Sequence, residues 1–222
     1  MSESPASQPL ASQPLALQPT VFIVDDDPAI RESLALLMAS AGLEAQCFES
    51  AQAFLGEHDE DAHGCVVTDL KMPGMTGLEL QEQLQARAMA LPVIVLTGHG
   101  EVSEAVRAMK RGAIDFIQKP FDPAQLLEDI RSAIARDATA RTEHAQVSAA
   151  RKLLSELTDR EREVMALVTQ GNANKVIAHE LDISERTVEL HRSRAMKKTG
   201  SRSLADLMRI ARLANATSPG AS

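Results

Sequence analysis

Thr20-Val21-Phe22-Ile23-Val24-Asp25-Asp26-Asp27 is an unbroken apolar run that stops on three carboxylates. No polar residue alternates with the apolar ones, so both faces of the segment need cover, as in a strand of a parallel sheet. Further runs of this kind lie at 44–48, 65–68, 92–96 and 113–117. Between and after them come stretches with helical spacing, at 28–41, 50–56, 76–87, 102–111 and 123–137. Strands alternating with helices in this way predict an α/β class domain with a doubly wound, five-stranded parallel sheet. In such sheets ligands bind beyond the carboxyl ends of the strands, at the topological switch point.

Those ends hold a selective set of side chains. Asp25 and Asp26 follow the first strand, Asp69 the third, Thr97 the fourth, and Lys119-Pro120 the fifth. A lone carboxylate after a strand is ordinarily a turn residue or a helix cap, and Asp27 is read as such a cap. Four strand ends supplying three carboxylates, a hydroxyl and an ammonium are harder to call accidental. Clustered carboxylates repel one another and need a cation; oxygen-only ligands with room for water favour Mg2+, or Mn2+ in its place. Such a cation offsets the charge of an incoming phosphoryl group, so that a carboxylate attacks phosphorus. Lys119 would pair with the phosphoryl oxygens as a point charge, and the Thr97 hydroxyl would hydrogen-bond one of them.

With 222 residues, 44% apolar and 24% charged, the chain can form two small folded units with solvated surfaces. Five Phe with no Trp or Tyr make stacking on exposed bases a poor binding mode. Residues 1–150 hold 10 Lys+Arg against 22 Asp+Glu, net -12, whereas residues 151–222 hold 13 against 9, net +4. An acidic front and a mildly basic back imply different partners, although +4 alone does not establish DNA binding. Cys47 and Cys65 lie in or beside apolar runs and are read as two buried free thiols. No apolar run reaches the roughly eighteen residues of a membrane span, and no secretory signal opens the chain, so a soluble, cytoplasmic protein without membrane contact is expected. Residues 1–19 carry Ala-Ser-Gln-Pro-Leu twice at 6–15 and a Pro every fifth residue; a disordered leader is expected there, and a disordered tail over 215–222.

The α/β pattern occupies 20–137. Residues 138–156 lack Pro and Gly and either prolong its last helix or form a helical linker. From 157 to 214 only short helices are expected. Thr158-x-x-Glu161 is a capping box opening a helix to about Thr169 that Gly171 ends. Helices follow at 173–181, 184–198 and 203–213, with Ser184 and Ser203 as N-caps and Gly200 closing the third.

Two resemblances fit these readings. Residues 20–137 resemble a receiver domain of the flavodoxin-like type. The segments VDDD at 24–27, TDLKMPGMTG at 68–77, LTGHG at 96–100 and DFIQKPF at 115–121 resemble the FixJ subgroup of two-component response regulators. The resemblance implies Asp69 as the phosphoacceptor for a sensor histidine kinase. It implies Asp25 and Asp26 as the acidic pair at the metal, beside Asp69 and the main-chain carbonyl of Lys71. Thr97 becomes the switch hydroxyl, and Lys119 the phosphate-pairing lysine before a cis bond to Pro120. Phe116 takes the position of an aromatic that turns inward as Thr97 moves toward the phosphate, though a plain core Phe reads the same way. The helix at 102–111, the fifth strand and the helix after it would form the face that changes and dimerises. His99 and Lys71 stand two residues beyond Thr97 and Asp69 and are read as tuning hydrolysis of the acyl phosphate; solvated loop residues would look alike.

The stretch LTDREREVMALVTQGNANKVIAHELDISERTVELHRSRAMKKTG at 157–200 resembles the LuxR-type helix-turn-helix. A tight turn at Asp182-Ile183 would join its second and third helices, with Ala178 small at their close approach and Ile177, Leu181, Ile183 and Val188 as shared core. Arg186, Thr187, Glu189, Leu190 and Ser193 are the candidates for the major groove of promoter DNA. Lys175, Arg192 and Arg194 are assigned to phosphates, which position rather than specify. A basic solvated face is the plain alternative for each arginine. Many relatives carry a basic residue where Glu189 stands; a Glu there accepts from cytosine N4 and weakens phosphate attraction. Leu204, Leu207, Met208 and Ala211 share one face of the last helix, a dimer surface by resemblance, although packing against the first helix of the unit explains several of them.

The expected function is therefore a phosphorylation-activated transcription factor that dimerises, binds an inverted repeat and meets RNA polymerase. It would be no enzyme beyond its own phosphoryl transfer and dephosphorylation. Two alternatives use the same residues. An aspartate-nucleophile phosphatase carries a second acid two residues after its nucleophile, whereas Asp69-Leu70-Lys71 has none. A phosphorylation-independent DNA-binding regulator is at odds with the intact set of strand-end residues.

Overall fold

β-Branched and aromatic residues in the first run make β1 (Thr20–Val24), and Asp27 stops it by capping the helix that follows. The Asp27 carboxylate accepts from the Ala29 amide at 2.8 Å, and Pro28 stands at the first helical position, where its missing N–H costs nothing. The computed structural model describes residues 18–58, 62–98 and 115–215. The chain divides into two compact units, Met1–Thr139 and Ala140–Ser222. Along the first come α1 (Pro28–Ser40), β2 (Glu44–Phe48), α2 (Ala51–Glu57), β3 (Gly64–Asp69), α3 (Gly77–Ala86), β4 (Val93–Thr97) and β5 (Asp115–Gln118). A helix of 33 residues, α4 (Pro123–Ser155), starts in the first unit and ends in the second, so 138–155 prolong the last helix of the α/β unit. The helix expected at 102–111 lies outside the described residues, as do His99, most of the leader and residues 216–222 of the tail.

The sheet has five strands in the order β2-β1-β3-β4-β5, all parallel. Alternate residues along each strand feed two cores, one on each face. Phe22, Val24, Val66 and Val95 join Phe54, Leu80 and Leu84 of α2 and α3. Val21, Ile23, Val67, Ile94 and Leu96 join Leu34, Met38, Leu126 and Ile130 of α1 and α4. The central strands are therefore buried along their apolar runs, with only the terminal Thr20 and Asp69 half-buried.

β2 departs from that expectation. Gln46 and Cys47 are exposed and only Phe48 is fully buried. As an edge strand β2 pairs on one side only, and three of its five residues are exposed. Of the two thiols expected to be buried, Cys65 is and Cys47 is not. Burial, then the charge of Asp137, pushes the Cys65 thiol up to about 12.

In the second unit, α5 (Asp159–Thr169), α6 (Asn174–Glu180), α7 (Glu185–Thr199) and α8 (Leu204–Asn215) enclose a core of Leu157, Val164, Val168, Ile177, Val188 and Leu207. The helix expected from residue 76 begins one residue later because Thr76 caps α3 rather than belonging to it, whereas Thr158 and Ser184 cap α5 and α7 as the sequence predicts. Thr158 and Glu161 form the reciprocal capping box, and Gly200 closes α7 at φ +67°. Asp182 turns the chain between α6 and α7 at φ +52°, and the Ile183 amide returns to the Ala178 carbonyl at 3.0 Å. No helix of the described residues is long and apolar enough to cross a membrane.

Candidate functional site

The register of the sheet brings the strand ends together. Val24 lies opposite Thr68, which sets Asp25 beside Asp69 at the boundary between β1 and β3. Thr97 lies opposite Gln118, which sets it beside Lys119 at the ends of β4 and β5, and the Lys119 amide donates to the Thr97 carbonyl at 2.6 Å. In the order β2-β1-β3-β4-β5, β1 and β3 flank the point where the connections reverse direction, the place where such sheets hold ligands.

Lys119 ties this set together. Its ammonium donates to Asp69 Oδ1 at 2.7 Å and to Asp25 Oδ2 at 3.0 Å. The Asp25 side chain is buried, and those of Lys119 and Asp69 are mostly so. Burial alone would lower the Lys119 pKa. Hydrogen bonds and charges from Asp69 and Asp25 outweigh it and hold the ammonium above its ordinary value. The remaining carboxylate oxygens accept main-chain amides: Asp69 Oδ2 from Lys71 at 2.7 Å, and Asp25 Oδ1 from Asp27 at 2.9 Å. The peptide bond after Lys119 is cis. Asp26 and Lys71 are exposed, Thr97 is buried, and Phe116 is half-buried against the core on the α2–α3 side.

Two carboxylates sharing one ammonium, with Asp26 adjoining, leave a net negative pocket of oxygen donors. That donor set suits a hard dication such as Mg2+. Among the described residues, no group of three or more His, Cys, Asp or Glu side chains is arranged to hold a metal. Main-chain carbonyl and water oxygens would have to complete the shell, which is the habit of Mg2+.

Three residues here went unread in the sequence. Arg31 donates to the Asp25 carbonyl at 2.6 Å, one turn into α1. Gly77, the first residue of α3, lies so near that a Cβ on it would stand 2.4 Å from the Asp69 carbonyl oxygen. Asp137 is buried and accepts from the Gly64 amide at 2.9 Å, at the far end of the strand that carries Asp69. Arg31 and Asp137 carry no sequence signal of such contacts, and a Gly at a helix start was the faint signal at 77.

On the second unit, α7 buries Val188, Ala195 and Thr199 on one side. At 100° per residue the opposite side carries Arg186, Leu190, Ser193 and Lys197, flanked by Glu189 and Arg194. All six are exposed. Thr187 is half-buried, its hydroxyl 2.8 Å from that of the cap Ser184. Arg192 is half-buried and its guanidinium donates to Asn174 Oδ1 across the helix pair, so its first partner is within the protein. Lys175 is exposed. On α8, Leu207 and Ile210 enter the core while Leu204 and Met208 stay exposed, which splits the apolar face expected there.

Comparisons with known proteins agree with both units. The chain matches the response regulator receiver domain family over residues 21–131 and the luxR family of bacterial regulatory proteins over 155–211. It is 46% identical to the transcriptional regulatory protein FixJ of Azorhizobium caulinodans, over 87% of this chain and 92% of that protein. To the response regulator protein TodT of Pseudomonas putida it is 41% identical, over 86% and 84%. Among solved structures, response regulator StyR superposes with a TM-score of 0.81 at 44% identity, covering 88% of this chain and 98% of that one. Full-length FixJ from B. japonicum gives 0.55 at 41% identity, covering 88% and 97%.

Proposed function

The chain belongs to the two-component response regulators that join a receiver domain to a LuxR-type DNA-binding domain, and on that premise we propose that Asp69 is its phosphoacceptor. The protein is a phosphorylation-activated transcription factor. The observation that carries the Asp69 assignment is the Lys119 ammonium, shared between Asp69 and Asp25 where three strand ends meet.

In the reaction, an Asp69 carboxylate oxygen attacks the phosphorus of a phosphohistidine on the kinase. The O–P bond forms as the P–N bond breaks, and the released imidazole takes up a proton. Lys119 stays protonated and exchanges its carboxylate partners for phosphoryl oxygens, so charge stabilisation is already in place when the phosphoryl group arrives. The Lys71 amide, donating to Asp69 Oδ2, orients the carboxylate so that its other oxygen faces the donor. Receiver domains generally bind Mg2+ at this site; here Asp25, Asp26, Asp69 and the Lys71 carbonyl would hold it, where it would offset the negative charge of the phosphoryl oxygens.

The added charge, roughly two units, acts through a bistable element. Thr97 turns its hydroxyl to the phosphoryl group, and Phe116, half-buried, follows into the space released. The face around β5 then supports a homodimer that reads an inverted repeat through α7 and engages RNA polymerase, all in the cytoplasm. Apart from making and hydrolysing its own acyl phosphate, the chain has no further catalysis in this reading.

The test is genome-wide DNA binding in the native host, wild type against Asp69→Asn. Occupancy that depends on the kinase in the wild type and disappears in Asp69→Asn is the expected result. Equal occupancy at the same promoters would refute control through Asp69.

A further inference from the structure

Leu190 is 48% exposed in the centre of a helix face made otherwise of Arg186, Ser193 and Lys197, and Glu189 stands beside it. Neither residue suits a surface that meets only phosphates. Phosphate contacts need donors and cations, and they carry no sequence information. A carboxylate is an acceptor only and is repelled by the DNA backbone. An exposed leucine gains nothing from a phosphate. On a duplex, both residues find complementary chemistry on base edges rather than on the backbone.

The major groove narrows the choice further. Its amino donors are cytosine N4 and adenine N6. Adenine sets its N7 acceptor next to that amino group, which repels a carboxylate, whereas cytosine presents the donor alone. The one apolar group in the groove is the thymine 5-methyl. Consecutive residues on a helix are about 1.5 Å apart along the axis and about 100° apart around it, so Glu189 and Leu190 reach neighbouring base pairs. Two polar neighbours on α7 are already engaged within the protein, Arg192 by Asn174 and Thr187 by the Ser184 cap, while Arg186 and Ser193 stay exposed beside the pair.

We infer that Glu189 and Leu190 act as a specificity pair that selects adjacent C·G and T·A base pairs in each half-site, Glu189 accepting from cytosine N4 and Leu190 covering the thymine methyl. The inference rests on α7 being the recognition helix of the LuxR-type domain. It names the bases that this helix prefers and the side chains responsible.

The experiment is selection from a random duplex library by the full chain, phosphorylated with acetyl phosphate and Mg2+. The wild type should enrich half-sites containing neighbouring C·G and T·A pairs. Glu189→Gln should weaken the preference for that cytosine by about ten-fold or more, and Leu190→Ala should weaken the thymine preference several-fold. A second arm uses the wild-type protein on the selected duplex with that thymine replaced by uracil, which removes only the methyl group. Wild-type binding should fall several-fold, and Leu190→Ala should bind both duplexes equally. Unchanged cytosine preference in Glu189→Gln overturns the role of Glu189. Indifference of the wild type to uracil overturns that of Leu190, whether or not the variants fold. A wild-type selection that enriches no motif would instead refute sequence-specific DNA reading itself.

Discussion

Gly77→Ala places one methyl group against the main chain of the phosphoacceptor. The new Cβ would lie 2.4 Å from the Asp69 carbonyl oxygen and 3.0 Å from Thr68 Cγ2. Carbon and oxygen sit comfortably at about 3.3 Å or more, so roughly 1 Å must be recovered, and from backbone rather than from a flexible side chain. The φ of Gly77 is not in the left-handed region, so the clash alone sets the cost. Overpacking of this kind costs about 1–3 kcal/mol, and an immovable neighbour favours the upper end. The Gly77 amide, which donates to the Leu70 carbonyl at 3.0 Å, would be pulled out of line as well. A reacting group displaced by about 1 Å can lose about a hundred-fold in rate. The matched control is Gly56→Ala in α2, where a Cβ meets nothing within 4 Å. There alanine should stabilise the helix by about 0.5–1 kcal/mol. Unfolding is followed by circular dichroism, since the chain has no Trp or Tyr, and phosphorylation by intact mass after exposure to acetyl phosphate. Opposite signs for the two variants are expected, with slow phosphorylation only in Gly77→Ala. A Gly77→Ala protein of wild-type stability and wild-type phosphorylation rate would refute the reasoning.

Lys119→Met removes the preorganised cation from beside Asp69 and should slow phosphorylation by acetyl phosphate by about 10²–10³-fold, read by intact mass. The folded pKa of Lys119 lies above its ordinary value of 10.5, so its ion pairs stabilise the unit fully below that value and are lost as pH rises through the higher one. The stability gap between wild type and Lys119→Met should accordingly hold from neutrality to about pH 10 and shrink beyond it. In the second unit, Lys198 donates to the buried Glu161 carboxylate at 2.6 Å; that bond, the Thr158 amide and the Lys198 charge hold Glu161 below the usual carboxylate range. Lys198→Met should cost about 1–2 kcal/mol at neutral pH, less than a fully buried pair because Lys198 is a third exposed. Since the folded pKa is depressed, that difference is present above the unfolded value and fades as pH falls through the folded one. A gap that persists at pH 2 in denaturant titrations would place the stabilisation elsewhere.

Much of this protein is legible along the chain because its signals are local. Apolar runs without alternation mark the central strands, and Thr76, Thr158 and Ser184 mark helix starts because each cap bonds an amide three residues on. The helix-turn-helix reads equally well, since Ile177, Val188 and the turn at Asp182 lie within one short stretch. Where the local reading failed, the deciding neighbour was distant. The run at 44–48 resembles the others, but only strand order reveals that β2 is an edge and that Cys47 faces outward. Arg192 looks like any exposed arginine until α6 and α7 pack and Asn174 takes its guanidinium.

The candidate site divides along the same line. The sequence alone determined which residue types stand at the strand ends, because a strand of four to six residues has to stop where its apolar run stops. Only the tertiary structure decided that Lys119 spans Asp25 and Asp69, partners 94 and 50 residues away. It alone decided that Gly77 leaves no room above the Asp69 carbonyl. The reason is physical. A contact between distant residues is set by register and by the packing of both faces of the sheet, and neither is encoded at any single position.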